Sequence, residues 1–267
     1  MIQKEILNPY KTAFGKIYRA IFHDIVDRLL WDLNPESWKS RKKLKALHNK
    51  YAGQKAVILF NGPSLKNVDF SLLEGVFTIG LNKINLLYET VPTFRPSMIV
   101  ASDLIINKQN QDYFNTEKNI PIFLDHRCSG FIKKKHNIFF LHSLVDSSFV
   151  KKPLYSISHI GSTPYYAFQL LYFMGFKEVA IIGADHNFPD IKPLQVGENL
   201  EEDNFHFHKN YHKKGEVNQA PDKIRMELAF RDAKLAFDGD NRKIYNSTSG
   251  GKLEVFERIG LEEFLKK

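Results

Sequence analysis

Cysteine is the scarcest chemistry in this 267-residue sequence, which contains one, Cys128. That excludes an internal disulfide framework and any zinc site built from several thiolates, and it suits a reducing compartment, so a cytoplasmic location is expected. Long apolar runs are missing too: nothing approaches the roughly 18 consecutive apolar residues of a membrane-spanning helix. The opening MIQKEILNPYK has neither the apolar stretch nor the small-residue cleavage site of a secretory signal. The three-glycine dinucleotide fingerprint and the glycine-rich loop ending in Gly-Lys-Ser/Thr are both absent. Acidic residues are the minority charge, 30 against 38 basic ones, for a net +8. That balance points to an anionic partner: nucleic acid, anionic lipid or a phosphorylated substrate. No recognised helix-turn-helix, zinc finger or RNA-binding motif accompanies it, so nucleic acid is not the expected one.

What is present is enough for a large core, with 43% of residues hydrophobic. Short apolar runs alternate with helical periodicity: Ala56 to Phe60, Val76 to Leu81, Ser97 to Ala101, Ile120 to Leu124, Ile138 to Leu141, Val179 to Ile182 and Lys243 to Tyr245. The alternation predicts an α/β, Rossmann-like fold with a mainly parallel sheet and helices on both faces. Residues 1–52 read as an N-terminal helical extension to a Rossmann-like domain over 53–267. Tyr10, Phe14, Ile17, Ile21, Ile25 and Leu29 recur at helical spacing. Asn34-Pro35 then caps a second helix, expected to run to about Tyr51 and carrying Lys39, Arg41, Lys42, Lys43 and Lys45. These helices either pack on the domain or lie on an anionic membrane surface, where each nearby cation contributes on the order of 1 kcal/mol. The polar stretch from about 189 to 220 lacks periodicity and reads as a long loop or lid.

In such a sheet, ligands sit beyond the carboxyl ends of the strands, and the polar residues of this chain gather there. Asn61-Gly62 turns tightly after the first strand, Pro63 suits a first helical position, and Ser64 can cap the helix or meet a phosphate. Asn82, Ser102-Asp103 and Asp185-His186 follow other strands, and Gly161-Ser162-Thr163 opens a strongly apolar helix. The lid carries DNFHFHKNYHKKG, in which His206, His208 and His212 can accept a proton near neutral pH and the lysines can stabilise a departing phosphate. Zinc through His206 and His208 lacks a third ligand at a recognised spacing. Asp238-Gly239-Asp240 imitates a transferase metal pair but follows a helix, where a turn is the simpler account. No metal is therefore expected.

The segments KAVILFNGPSLKNVDFSLL, TIGLNKI, GFKEVAIIGADHNF, HFHKNY and KIYNSTSGGKLEVFERI resemble the motility-accessory-factor glycosyltransferases and their relatives, which share a fold with an archaeal hydroxymethylpterin pyrophosphokinase. The Asn-Gly-Pro-Ser-Leu corner, the later Asn, GSTPYYA and GFKEVAIIGAD are also similar to the lipooligosaccharide sialyltransferases. The resemblance implies a sialyltransferase-like variant of the GT-A fold and an inverting, metal-independent enzyme without a cofactor. Such an enzyme moves an acidic sugar of sialic, pseudaminic, legionaminic or Kdo type from a CMP-sugar to a surface-glycan or lipid-linked acceptor. It implies that Asn61, Gly62 and Ser64 contact the CMP phosphate and ribose, that Asn82 and Asp103 line the nucleotide or sugar pocket, that Ser162 and Thr163 hold the cytidine, and that Asp185 lies near the ribose or donor sugar. It also implies that the base is a lid histidine, His206 before His212. Two alternatives stay open: a Mg-ATP-dependent pyrophosphokinase acting on a pterin-like substrate, and a non-enzymatic basic module. Peripheral membrane attachment and self-association are open as well.

Overall fold

The computed structural model describes residues 23–145, 147–188, 193–199 and 203–267. Its strands are β1 (Lys55–Leu59), β2 (Phe77–Leu81), β3 (Met98–Ala101), β4 (Ile122–Asp125), β5 (Ile138–Leu141), β6 (Ser143–Val145), β7 (Ile157–His159), β8 (Glu178–Ile182), β9 (Val196–Glu198), β10 (Val217–Gln219), β11 (Lys243–Asn246) and β12 (Glu257–Arg258). Eight of them form one sheet in the order β12-β11-β8-β1-β2-β3-β4-β5, and every pairing in it is parallel. The chain is an α/β protein with a Rossmann-like sheet. All seven predicted strands lie in it, because a strand covered on both faces must be apolar throughout: β3, β4 and β5 are buried at every position.

The helices are α1 (Arg28–Leu33), α2 (Pro35–Lys45), α3 (Leu104–Gln109), α4 (Gln111–Thr116), α5 (Thr163–Met174), α6 (Lys223–Asp238) and α7 (Leu261–Lys266). Successive strand residues point to opposite faces. Ala56 and Ile58 of β1 join a core with α5, α6 and Leu44 of α2, whereas Val57 and Leu59 join one with Trp31, Phe114 and Phe264. All twelve residues of α5 are buried, so this helix is apolar all round and forms the centre of the first core.

The first expected helix falls largely on residues outside those described; its last part is a π-helical turn, His23–Asp27, leading into α1. For α2 the cap is as read, with Asn34 Oδ1 accepting from Glu36 N–H at 3.0 Å. The helix ends at Lys45 rather than near Tyr51 because the following turns pair with the end of α5. Asn49, in left-handed conformation, donates to Phe173 O, and Tyr51 N–H donates to Met174 O. The basic face is smaller than its sequence suggests: Lys39 pairs with Glu36, Arg41 with Asp32, and Lys43 reaches Ile138 O of β5.

The expected loop over 189–220 contains structure. β9 and β10 form an antiparallel ribbon, and between them Phe207 and Tyr211 are buried in the same core as Leu59. Alternating polar residues hide such a ribbon from any reading of apolar periodicity.

From β1 the chain steps through β2, β3, β4 and β5 in one direction, while β8, β11 and β12 stack on the other side. The crevice outside the carboxyl ends of β1 and β8 is therefore the switch point where open α/β sheets place ligands.

Candidate functional site

The ladder between β1 and β8 continues past the strands: Phe60 N–H donates to Ile182 O and Gly62 N–H to Gly183 O, each at 2.8 Å. This brings Asn61 to Ser64 against Gly183 to His186. The two corners interlock through Asp185, whose carboxylate accepts the Ser64 backbone N–H at 3.2 Å and the Ser64 hydroxyl at 2.7 Å. A carboxylate of the chain thus sits at the start of the 3-10 turn Pro63–Asn67, on the amide that the sequence reading offered to a phosphate. Ser64 lines not the cavity described next but a polar surface groove with Thr248, Arg258 and Glu262. That groove offers an anion little, because the Arg258 guanidinium is spent on the carbonyls of Thr248, Gly250, Gly251 and Leu253.

The cavity at the switch point measures about 140 Å³ and is lined by Asn61, Gly62, Asn82, Asp185, His186 and His206, with Phe188, Tyr211 and Phe230 supplying the apolar wall. Six of the sequence-predicted site residues meet there, in a space suited to a single sugar or base ring. Asn82 and His186 adopt left-handed conformations at the ends of β2 and β8. Such strained backbone concentrates at ligand sites. Asn61 donates from Nδ2 to the Tyr211 hydroxyl at 3.1 Å, and its carbonyl accepts Phe207 N–H at 2.9 Å. Its buried Oδ1 has no hydrogen-bond partner among the described residues.

Thr163, at the start of α5, donates to Asn82 Oδ1 at 3.1 Å and lies 2.9 Å from the Ser102 hydroxyl. Ser162 holds the N-cap position without capping, and its buried Oγ is without a partner among the described residues. Gly161 adjoins, in left-handed conformation beside Arg225. Asp103 is otherwise engaged: its carboxylate caps α3 by accepting the Ile105 and Ile106 N–H groups at 2.7 and 3.0 Å.

In the excursion between β9 and β10, Asp203 accepts the Phe205 and His206 N–H groups and that of His212, and it faces His206 Nδ1 at 2.7 Å. Burial alone would raise its pKa, but the His206 ring and these amides hold the carboxyl below its ordinary range. An ionised Asp203 fixes the proton of His206 on Nδ1 and leaves Nε2 as the acceptor. The His206 ring is clamped in that orientation by parallel stacking on Tyr211, centroid to centroid 3.9 Å. His212 meets the His206 ring edge to face at 5.0 Å. Its pKa is lowered to about 4, first by burial and then by the neighbouring His206, so it is neutral at pH 7. It is not among the residues lining the cavity. His208 turns to Glu89, with Nε2 at 3.0 Å from its carboxylate, so His206 and His208 address different acids.

Two participants were not singled out from sequence. Asp203 stands in the legible spacing Asp-x-x-His with His206. Lys83 carried no local signal: it is buried beneath the lid, donating to Tyr211 O at 2.6 Å and to Glu216 at 3.1 Å. Asp238-Gly239-Asp240 lies at the end of α6, where Asp238 pairs with Lys234 and Lys243 and Asp240 with Lys151. That is a turn held by ion pairs.

No protein-family model and no curated protein matches the chain.

Proposed function

We propose that the chain is an inverting glycosyltransferase that takes an acidic sugar from CMP and places it on a hydroxyl of a surface-glycan or lipid-linked acceptor, using no metal in the transfer. The observation that carries this reading is the Asp203–His206 pair, whose imidazole belongs to a residue lining the switch-point cavity. His206 Nε2 takes the acceptor proton while the acceptor oxygen forms a bond to the anomeric carbon. The bond from that carbon to the CMP phosphate breaks, its electron pair leaving with the phosphate, and Asp203 stabilises the imidazolium. Asn61 Oδ1 and Ser162 Oγ, without partners among the described residues, are groups a polar ligand would satisfy. The resemblance of the Asn-Gly-Pro-Ser and GSTPYYA segments to sialyltransferases supports CMP as the carrier.

Thermal unfolding in the presence of CMP, CDP, UDP, GDP or ATP, with and without magnesium, tests the donor. A ligand at 100 times its Kd stabilises by roughly 2.7 kcal/mol, so CMP should raise the midpoint without magnesium. A shift confined to ATP with magnesium would replace this reading by phosphoryl or pyrophosphoryl transfer. No shift with any nucleotide, together with steeply salt-dependent DNA binding, would favour the basic module.

A lipid-linked acceptor brings the enzyme to a membrane. No helix among the described residues is long and apolar enough to cross one. Leu29, Leu30, Leu33 and Trp38 are exposed on α1 and α2 beside exposed Lys39 and Lys42, an apolar and cationic edge that supports peripheral attachment. Pelleting with phosphatidylserine vesicles should be largely lost in a Leu33→Glu/Trp38→Glu double variant; equal pelleting would reject the attachment.

A further inference from the structure

A second cluster of ligand-type side chains lies at the carboxyl ends of β4 and β5, and none of its members lines the cavity. We propose that Asp27, His126 and His142 form a three-ligand centre for a divalent transition metal of the zinc type, which pins the turn before α1 to the sheet. His126 directly follows β4, His142 directly follows β5, and Asp27 is the last residue of the π-helical turn. Their ligand atoms all lie within 4.8 Å of one another. Asp27 Oδ2 is 3.0 Å from His126 Nε2 and 3.7 Å from His142 Nε2, and the two rings are 4.7 Å apart.

The orientation of the imidazoles carries the inference. A metal-binding histidine characteristically has its other ring nitrogen held by a carboxylate, carbonyl or hydroxyl, which fixes the ring and the tautomer. His142 has that support, and His126 has a carboxylate beside its second nitrogen without a hydrogen bond to it among the described residues. His142 Nδ1 lies 3.0 Å from Ser156 Oγ, and Ser156 is itself held by Arg28. His126 Nδ1 faces the fully buried Asp125 at 3.4 Å, an electrostatic rather than a hydrogen-bonded contact, and Asp125 is fixed by Arg127 at 2.7 Å and by Ser143. Both Nε2 atoms are thereby directed at the Asp27 carboxylate.

A simple ion pair between protonated His126 and Asp27 explains half of this. It leaves His142 Nε2 buried and without a hydrogen-bond partner among the described residues, a costly arrangement for a polar atom. A cation engages all three groups at once. Two imidazoles and a carboxylate suit zinc or its neighbours in the first transition row, with a further position left for water. Asp27 and Asp125 offset the charge of Arg28 and Arg127 nearby, so a dication is not met by a net positive site.

Cobalt(II) is the probe, because it occupies zinc sites and absorbs in the visible when four- or five-coordinate. The full chain, stripped of metal by chelator dialysis, should bind one equivalent with that absorption, and zinc should displace it. Asp27→Asn and His142→Ala should abolish the band, and Ser156→Ala should weaken binding about 10- to 100-fold while keeping it. His212→Ala, in the lid cluster of Asp203, His206 and His212, should leave the band unchanged. The assignment is overturned if the native chain gives no such band, if His142→Ala and Asp27→Asn keep it, or if His212→Ala removes it. Asp27→Asn preserves shape on a half-exposed side chain, so it reports on binding even where His142→Ala fails to fold.

Discussion

Replacing His206 by alanine is expected to lower the rate of sugar transfer about 10²- to 10⁴-fold, the range for a positioned general base, while CMP binding stays within a few fold of the native value. The split follows from geometry. His206 lines the cavity from the lid, whereas the groups proposed for the nucleotide, Asn61 after β1 and Ser162-Thr163 at the start of α5, belong to other elements. Asp203→Asn sharpens the test because it keeps size and shape. An amide facing Nδ1 can donate to it, moving the ring proton to Nε2, and a protonated Nε2 accepts nothing from the acceptor hydroxyl. The asparagine variant should therefore lose turnover as His206→Ala does, and the double variant should be little worse than either single one, since the two residues act as a unit. His212→Ala should cost less, because His212 does not reach the cavity. Native turnover in His206→Ala, measured by release of CMP, would remove His206 from the role and the proposed reaction with it.

The sheet was legible because two-sided burial demands uninterrupted apolar runs, and those runs stand out between polar corners. Asn34-Pro35 was legible for a similar reason, since a cap is a local device. Features made by distant partners were not. Asp185 reads as a strand-end acid free to meet a ribose, yet its carboxylate accepts from Ser64, 121 positions away; nothing near either residue announces the other. The end of α2 is set by hydrogen bonds to α5, and the β9–β10 ribbon by a lid whose anchors, Phe207 and Tyr211, are a single pair at i,i+4 in a stretch that forms no helix. At the site, residue types were readable and their allocation was not. Asn61, Asn82, Asp185, His186 and His206 converge on one cavity, while Asp103 serves as a helix cap and Ser64 turns to a different groove.

Gly62→Ala should be strongly damaging, lowering stability by about 3 kcal/mol or more through overpacking and a broken buried hydrogen bond. The backbone at Gly62 is unstrained, with φ −72°, so the cause is space alone. A Cβ there would lie 2.0 Å from Asp185 Oδ2, 2.5 Å from Gly183 O and 2.9 Å from Asp185 Cγ. None of these can yield cheaply. The carboxylate is held by Ser64, and the Asp185 backbone is held by Lys252 N–H at 2.8 Å and by Gly251, where an added Cβ would come within 2.9 Å of Asp185 O. The strand ends of β1 and β8 must part, or Asp185 must leave Ser64. At roughly 2–4 °C per kcal/mol for a chain near this size, the thermal midpoint should fall by about 6–12 °C. Gly130→Ala, where no atom of the described residues lies within 4 Å of the added methyl, should change it little. Adding Asp185→Ala to Gly62→Ala should restore part of the loss and no more, because the clash with the Gly183 carbonyl remains. A midpoint within a degree of native for Gly62→Ala would mean that the two corners do not interlock through Asp185, and the placement of Asn61 and His186 around the cavity would fall with it.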